Sequence, residues 1–82
     1  MNVLIVEDEK LAADRLELLL RACDKSINIL AKIESVYDTV KWLNSNPEPD
    51  VIFLDVQLED DLSFAIFEKI VRKARFSFYL VE

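Results

Sequence analysis

Two short apolar runs, each ending in carboxylates, constrain this chain more than any other feature. Val3-Leu4-Ile5-Val6 is followed by Glu7 and Asp8, and Val51-Ile52-Phe53-Leu54 is followed by Asp55. Neither run alternates with polar residues, so neither reads as a strand with one wet face. Unbroken β-branched runs of this length fit parallel strands buried on both sides by helices. In an open α/β sheet, ligands collect just beyond the carboxyl ends of such strands. If the two strands are neighbours, Glu7, Asp8 and Asp55 share one crevice. Like charges at about 4 Å repel by roughly 4 kcal/mol per pair at an effective dielectric near 20. That repulsion calls for a cation, a proton or solvent. With no His and a single Cys in the chain, the available ligands are oxygens, which suit a hard divalent ion such as Mg²⁺.

The segments between the runs have helical periodicity. From Glu9 to Cys23, residues Ala12, Leu16, Leu19, Leu20 and Cys23 recur at spacings of three and four and predict one apolar helix face. Asp8 and Glu9 at its start suit the positive end of the helix dipole. Cys23 is expected to be a small core residue on that face. Ile27–Ile33 predicts a second strand, and Asn28 and Lys32 mark it as a sheet edge. Ser35-Val36-Tyr37-Asp38 is a capping-box variant, followed by a core-facing row of Val36, Val40 and Leu43; the pattern leaves Trp42 open. Pro47 and Pro49 end that helix. Leu62, Ile66, Phe67 and Ile70 predict a third helix, and 76–81 a fourth strand. The order β-α-β-α-β-α-β implies a parallel sheet with right-handed crossovers and helices on both faces.

Composition removes several functions. Eighty-two residues make a single small domain. The net charge of −6 opposes nucleic-acid binding by this chain, which requires Lys and Arg to displace counterions. Glycine is absent, although an average chain of this length would carry about six. Gly-rich phosphate loops and dinucleotide fingerprints are thereby excluded. No apolar stretch approaches the roughly 20 residues of a membrane span, and no signal peptide opens the chain. A cytoplasmic protein is expected.

Leu4-Ile5-Val6-Glu7-Asp8-Glu9 and Pro49-Asp50-Val51-Ile52-Phe53-Leu54-Asp55-Val56-Gln57-Leu58, two βα units apart, resemble the receiver domain of bacterial two-component response regulators. The wording is most similar to the LytTR type, in which a receiver precedes a DNA-binding domain. The resemblance covers roughly residues 1–73. It implies a flavodoxin-like (CheY-like) α/β fold, here incomplete after the fourth strand. It also implies that Asp55 is a phosphoacceptor, served by a sensor histidine kinase. Mg²⁺ would be held by Glu7, Asp8, Asp55 and the backbone carbonyl of Gln57. The chain would be a signalling module and not a turnover enzyme.

The chain departs from this pattern in its last residues. The family closes its fourth strand with Ser or Thr; aligned without gaps, that position falls at Tyr79 or Leu80, with Ser77 the small hydroxyl nearby. The family's Lys at the end of a fifth strand has no counterpart. Residues 75–82 are therefore expected to form an atypical tail from an altered or truncated frame, leaving the module deficient in switching. An exposed sheet edge then predicts a homodimer or higher oligomer. Two other functions compete. A haloacid-dehalogenase-type phosphatase needs a second Asp two residues after the first, where this chain has Gln57. An interaction module with a receiver-like fold and an idle acidic cluster is the alternative.

Overall fold

The computed structural model describes residues 1–55 and 77–81, with Asp55 and 77–81 described as backbone. In chain order the elements are β1 (Asn2–Val6), α1 (Lys10–Cys23), β2 (Asn28–Ile33), α2 (Val36–Ser45), β3 (Val51–Asp55) and β4 (Ser77–Val81). The strands form one sheet in the order β2-β1-β3-β4, and every neighbouring pair is parallel. The expected third helix lies outside the described residues.

This order explains why the apolar runs are continuous. The β1-to-β2 connection steps one way, and the β2-to-β3 connection passes back over β1. Right-handed crossovers in opposite directions put α1 and α2 on opposite faces. Alternate residues of β1 then feed two cores. Leu4 and Val6 join Ile52, Leu54 and Val36 on the α2 side. Val3 and Ile5 join Ala13, Ile27 and Val51 on the α1 side. Val3, Leu4, Ile5, Ile52 and Leu54 have no exposed surface at all, and each such side chain contributes roughly 1.5–3 kcal/mol by leaving water.

β2 is an edge strand, as its polar residues predicted, and it contains an irregularity that they did not. Its register against β1 passes from Val3↔Ile29 to Leu4↔Ala31, skipping Leu30. Side chains alternate along a strand, so one extra residue reverses every face that follows. Before the bulge, Ile27 and Ile29 pack on the α1 side. After it, Ala31 and Ile33 pack on the α2 side, and Lys32 reaches Asp14 and Glu17 of α1.

The helices correct two expectations. The contact face of α1 is Ala13, Leu16 and Leu20. Leu19 is 64% exposed, because it lies about 100° around the helix from Leu20. Cys23 is exposed too; it is the final helical residue, outside that contact, and not a core residue. At the helix start, Glu9 is the N-cap but its side chain makes no capping bond. In α2 the expected row is found: Val36 is buried, and Val40, Leu43 and Trp42 pack against the same core. Thr39 is also fully buried and donates its hydroxyl to the Ser35 carbonyl at 2.7 Å.

Turns are built without glycine. Asp24 Oδ1 accepts from the Ser26 N–H at 2.9 Å and from its hydroxyl at 2.6 Å, a side-chain turn that replaces special backbone angles. Those bonds hold the Asp24 carboxyl below its ordinary value. At the start of α2 the Ser35 hydroxyl accepts from the Asp38 N–H at 3.1 Å, so the hydroxyl half of the capping box forms. Ser35→Ala is expected to cost about 1 kcal/mol, read as a lower urea midpoint at unchanged slope.

Candidate functional site at the carboxyl ends of the strands

The carboxylates singled out in the sequence leave the sheet at one end. Val6 pairs with Leu54, so Glu7 and Asp55 are the next residues of adjoining parallel strands. Glu7 is held at the end of β1 by its own N–H, which donates to the Ile33 carbonyl at 2.8 Å. Its Oε1 accepts the Glu9 N–H at 3.1 Å, tying the carboxylate to the turn that enters α1. Glu7 is half-buried, whereas Asp8 is exposed. The Asp55 backbone ends β3 and is paired with Val81 on the other side. Gln57 and the acidic residues Glu59, Asp60 and Asp61 lie outside the described residues.

Among the described residues, no group of three or more His, Cys, Asp or Glu side chains is assembled as a metal cluster. Among the described side chains, Glu7 and Asp8 provide two carboxylates at this end of the sheet. The donor chemistry fits a hard cation, since each of these groups offers oxygen. A hollow of about 270 Å³ lies against Glu7, lined by Lys10, Ala13, Asp14, Lys32 and Glu34. A second hollow of about 310 Å³ opens beside Asn2, Leu30, Trp42 and Pro47. Asn2 begins β1 and Glu7 follows its end, so this second hollow sits away from the carboxylates.

Beside the acidic end, Lys32 forms a two-way ion pair that the sequence reading missed. Its ammonium lies 2.7 Å from Asp14 and 2.8 Å from Glu17, and Glu17 also binds Arg21 at 2.9 Å. Hydrogen bonds from Lys32 hold Asp14 and Glu17 below their ordinary values, and the same bonds raise Lys32. The depressed carboxylates contribute stability above their unfolded values of 3.8 and 4.5, lost as pH falls through the lower folded ones. The raised Lys32 contributes stability below its unfolded value of 10.5, lost as pH rises through the higher folded one. Wild type should therefore exceed Lys32→Met in melting temperature between those limits. The difference should shrink at both extremes and, because the groups are exposed, stay small and fall with salt.

The sequence matches the response regulator receiver domain over residues 3–79. The chain belongs to this family. Relatives of the receiver domain include the sensory transduction protein LytT of Bacillus anthracis, 42% identical over 80% of the chain and 26% of that protein. LytT of Bacillus subtilis (strain 168) is 38% identical over 85% of the chain and 28% of its own length. LytR of Staphylococcus epidermidis (strain ATCC 12228 / FDA PCI 1200) is 36% identical over 92% and 29%. The receiver thus spans about a quarter of the curated relatives it matches. Its fold is similar to that of SdrG from Pseudomonas melonis Fr1, solved in a BeF3-activated conformation. The TM-score is 0.72 at 25% identity, covering 96% of this chain and 64% of that one. The receiver-like parallel sheet expected from the two acidic motifs is the fold observed. No helix among the described residues is long and apolar enough to cross a membrane.

Proposed function

We propose that this receiver accepts a phosphoryl group on Asp55 from a sensor histidine kinase, in a reaction that depends on Mg²⁺. The observation that carries this reading is the adjacency of β1 and β3, which brings Glu7, Asp8 and Asp55 out at the same end of neighbouring strands. Phosphoryl transfer asks little covalent chemistry of a protein and much positioning and charge stabilisation. A carboxylate oxygen of Asp55 bonds to phosphorus as the donor's P–N bond breaks, and the donor imidazole leaves with the electron pair. Rigid anchoring of Asp55 at the end of a paired strand supports in-line attack. Glu7 and Asp8 would hold the cation, with Asp55 and the Gln57 carbonyl completing its protein ligands. Bound Mg²⁺ supplies the positive charge that lets an anionic nucleophile approach an anionic phosphorus.

The reading has wider terms. The chain acts as a signalling module in the cytoplasm, without catalytic turnover of its own, and does not bind nucleic acid directly. DNA binding belongs to an output domain of the longer LytTR-type protein. Tyr79 and Leu80 stand where the family pattern places a small hydroxyl, which leaves the phosphorylated state fewer differential contacts to drive a switch. The test is incubation with a small acyl phosphate, with and without Mg²⁺, followed by intact mass. A gain of one phosphoryl group that requires Mg²⁺ supports the reading. No gain leaves an interaction module, and hydrolysis of many equivalents points to a phosphatase.

A further inference from the structure

Leu30 and Trp42 are only partly used by the interior. Leu30, which β2 carries without a partner on β1, belongs to neither core cluster of the described residues. Trp42 packs against the α2-side core and still keeps part of its surface in solvent. Both line the hollow of about 310 Å³ that sits away from the carboxylates, together with Asn2, Asn46, Pro47 and Glu48. Bulges re-aim side chains at the rims of sheets, and here the extra residue supplies an apolar wall. Asn46 is fixed by its Nδ2, which donates to the Trp42 carbonyl at 2.8 Å, and its Oδ1 remains an acceptor. Glu48 is exposed, and among the described residues no Lys or Arg pairs with it.

We infer that this hollow binds a guanidinium group carried on a short alkyl stem. No residue lining it is basic, so Glu48 sets the charge of the site and selects a cation. Its volume lies at the lower end of the range for small-ligand pockets, which suits one such group and little more. Leu30 and Pro47 offer the stem an apolar surface to cover. The Trp42 indole offers the cationic head an electron-rich ring, a partner that guanidinium favours. An ammonium is more strongly hydrated and has no flat face, so it gains less beside an indole. The several N–H donors of a guanidinium match two acceptors, the Glu48 carboxylate and Asn46 Oδ1. The hollow shares no residue with the carboxylate end of the sheet, so this site is independent of phosphoryl uptake at Asp55.

Trp42 is the single tryptophan of the chain, so its fluorescence reads the site directly. Titration of the whole chain with n-butylguanidinium at constant ionic strength should give a saturable change, with a Kd on the order of 1 mM. n-Butylammonium should bind several-fold more weakly, and n-butanol should give no saturable change. Glu48→Gln should raise the Kd about fivefold, with an unchanged urea midpoint showing that the fold is intact. In a proton–nitrogen NMR spectrum the Asn46 side-chain amide and the Trp42 indole N–H should move on addition, while the Asp8 amide should not. A capped Ala-Arg-Ala peptide separates two sources of the group. Binding as tight as that of n-butylguanidinium assigns the site to an arginine of another protein; binding of the free compound alone assigns it to a small metabolite. A response that stays linear in concentration, is equal for all three compounds, or is unchanged in Glu48→Gln overturns the site.

Discussion

Ile52→Ala should remove a large part of the domain's stability. Ile52 is wholly buried, lies on β3 between β1 and β4, and pairs with Leu4 across the sheet. Its neighbours Leu4, Val6, Val36 and Leu54 sit on strands and a helix held by backbone bonds, so the site cannot easily collapse. Truncation of a buried Ile typically costs about 2–5 kcal/mol, from lost transfer free energy and the cavity left behind. A chain of 82 residues at about 0.05–0.15 kcal/mol per residue holds only about 4–12 kcal/mol. The urea midpoint should therefore fall by about 2 M at unchanged slope, or the variant should be unfolded from the outset. Leu18→Ala is the contrast. Leu18 is 69% exposed, and its truncation should change stability by no more than about 0.5 kcal/mol. Equal effects at the two positions would show that the two-sided core is not where the stability lies.

Asp55→Asn should abolish phosphoryl uptake while leaving the domain folded. The amide keeps the shape of the side chain but removes the anionic oxygen that would attack phosphorus. Loss should be complete within detection in intact-mass measurements, with an unchanged urea midpoint separating lost chemistry from lost structure. Asp8→Asn should behave differently. The nucleophile remains, but one carboxylate of the cation site is gone, and uptake should slow on the order of a hundredfold, equivalent to about 3 kcal/mol of charge stabilisation. Higher Mg²⁺ should recover part of that loss. If Asp55→Asn still gained mass, the acceptor would lie elsewhere and the reading of the strand ends would fail.

The sequence reveals this fold where burial is two-sided. The runs at Val3–Val6 and Val51–Leu54 cannot be satisfied except between two layers of helix, so their parallel pairing and the emergence of Glu7 and Asp55 at one end follow. The Ser35 cap is equally legible, since a hydroxyl three residues before an amide has a specific bond to make. Positions decided by a few tens of degrees are not legible. A spacing of three and four marks a broad arc on α1 that includes both Leu16 and Leu19; only packing against the sheet-side cluster that holds Val3, Ile5, Ile27 and Val51 selects Leu16. Lys32 looked like an edge residue in water, because pairing with Asp14 and Glu17 depends on how α1 lies over β2. The bulge left no mark either. Ile29-Leu30-Ala31 is apolar throughout, and an extra apolar residue among apolar neighbours changes no pattern.

Leu30 lets β2 change faces midway without disturbing its pairing beyond the bulge. Were Leu30 to pair with Leu4 in place of Ala31, Lys32 would stand beside Val6, on the side of Leu54 and Val36, where an unpaired charge is intolerable. Ile33 would move past the end of β1. Deleting the Leu30 codon should instead be absorbed, because Ala31, Lys32 and Ile33 would keep their places beside Leu4, Ile5 and Val6. The rim strand thus carries one spare residue, whose loss the interior should not feel.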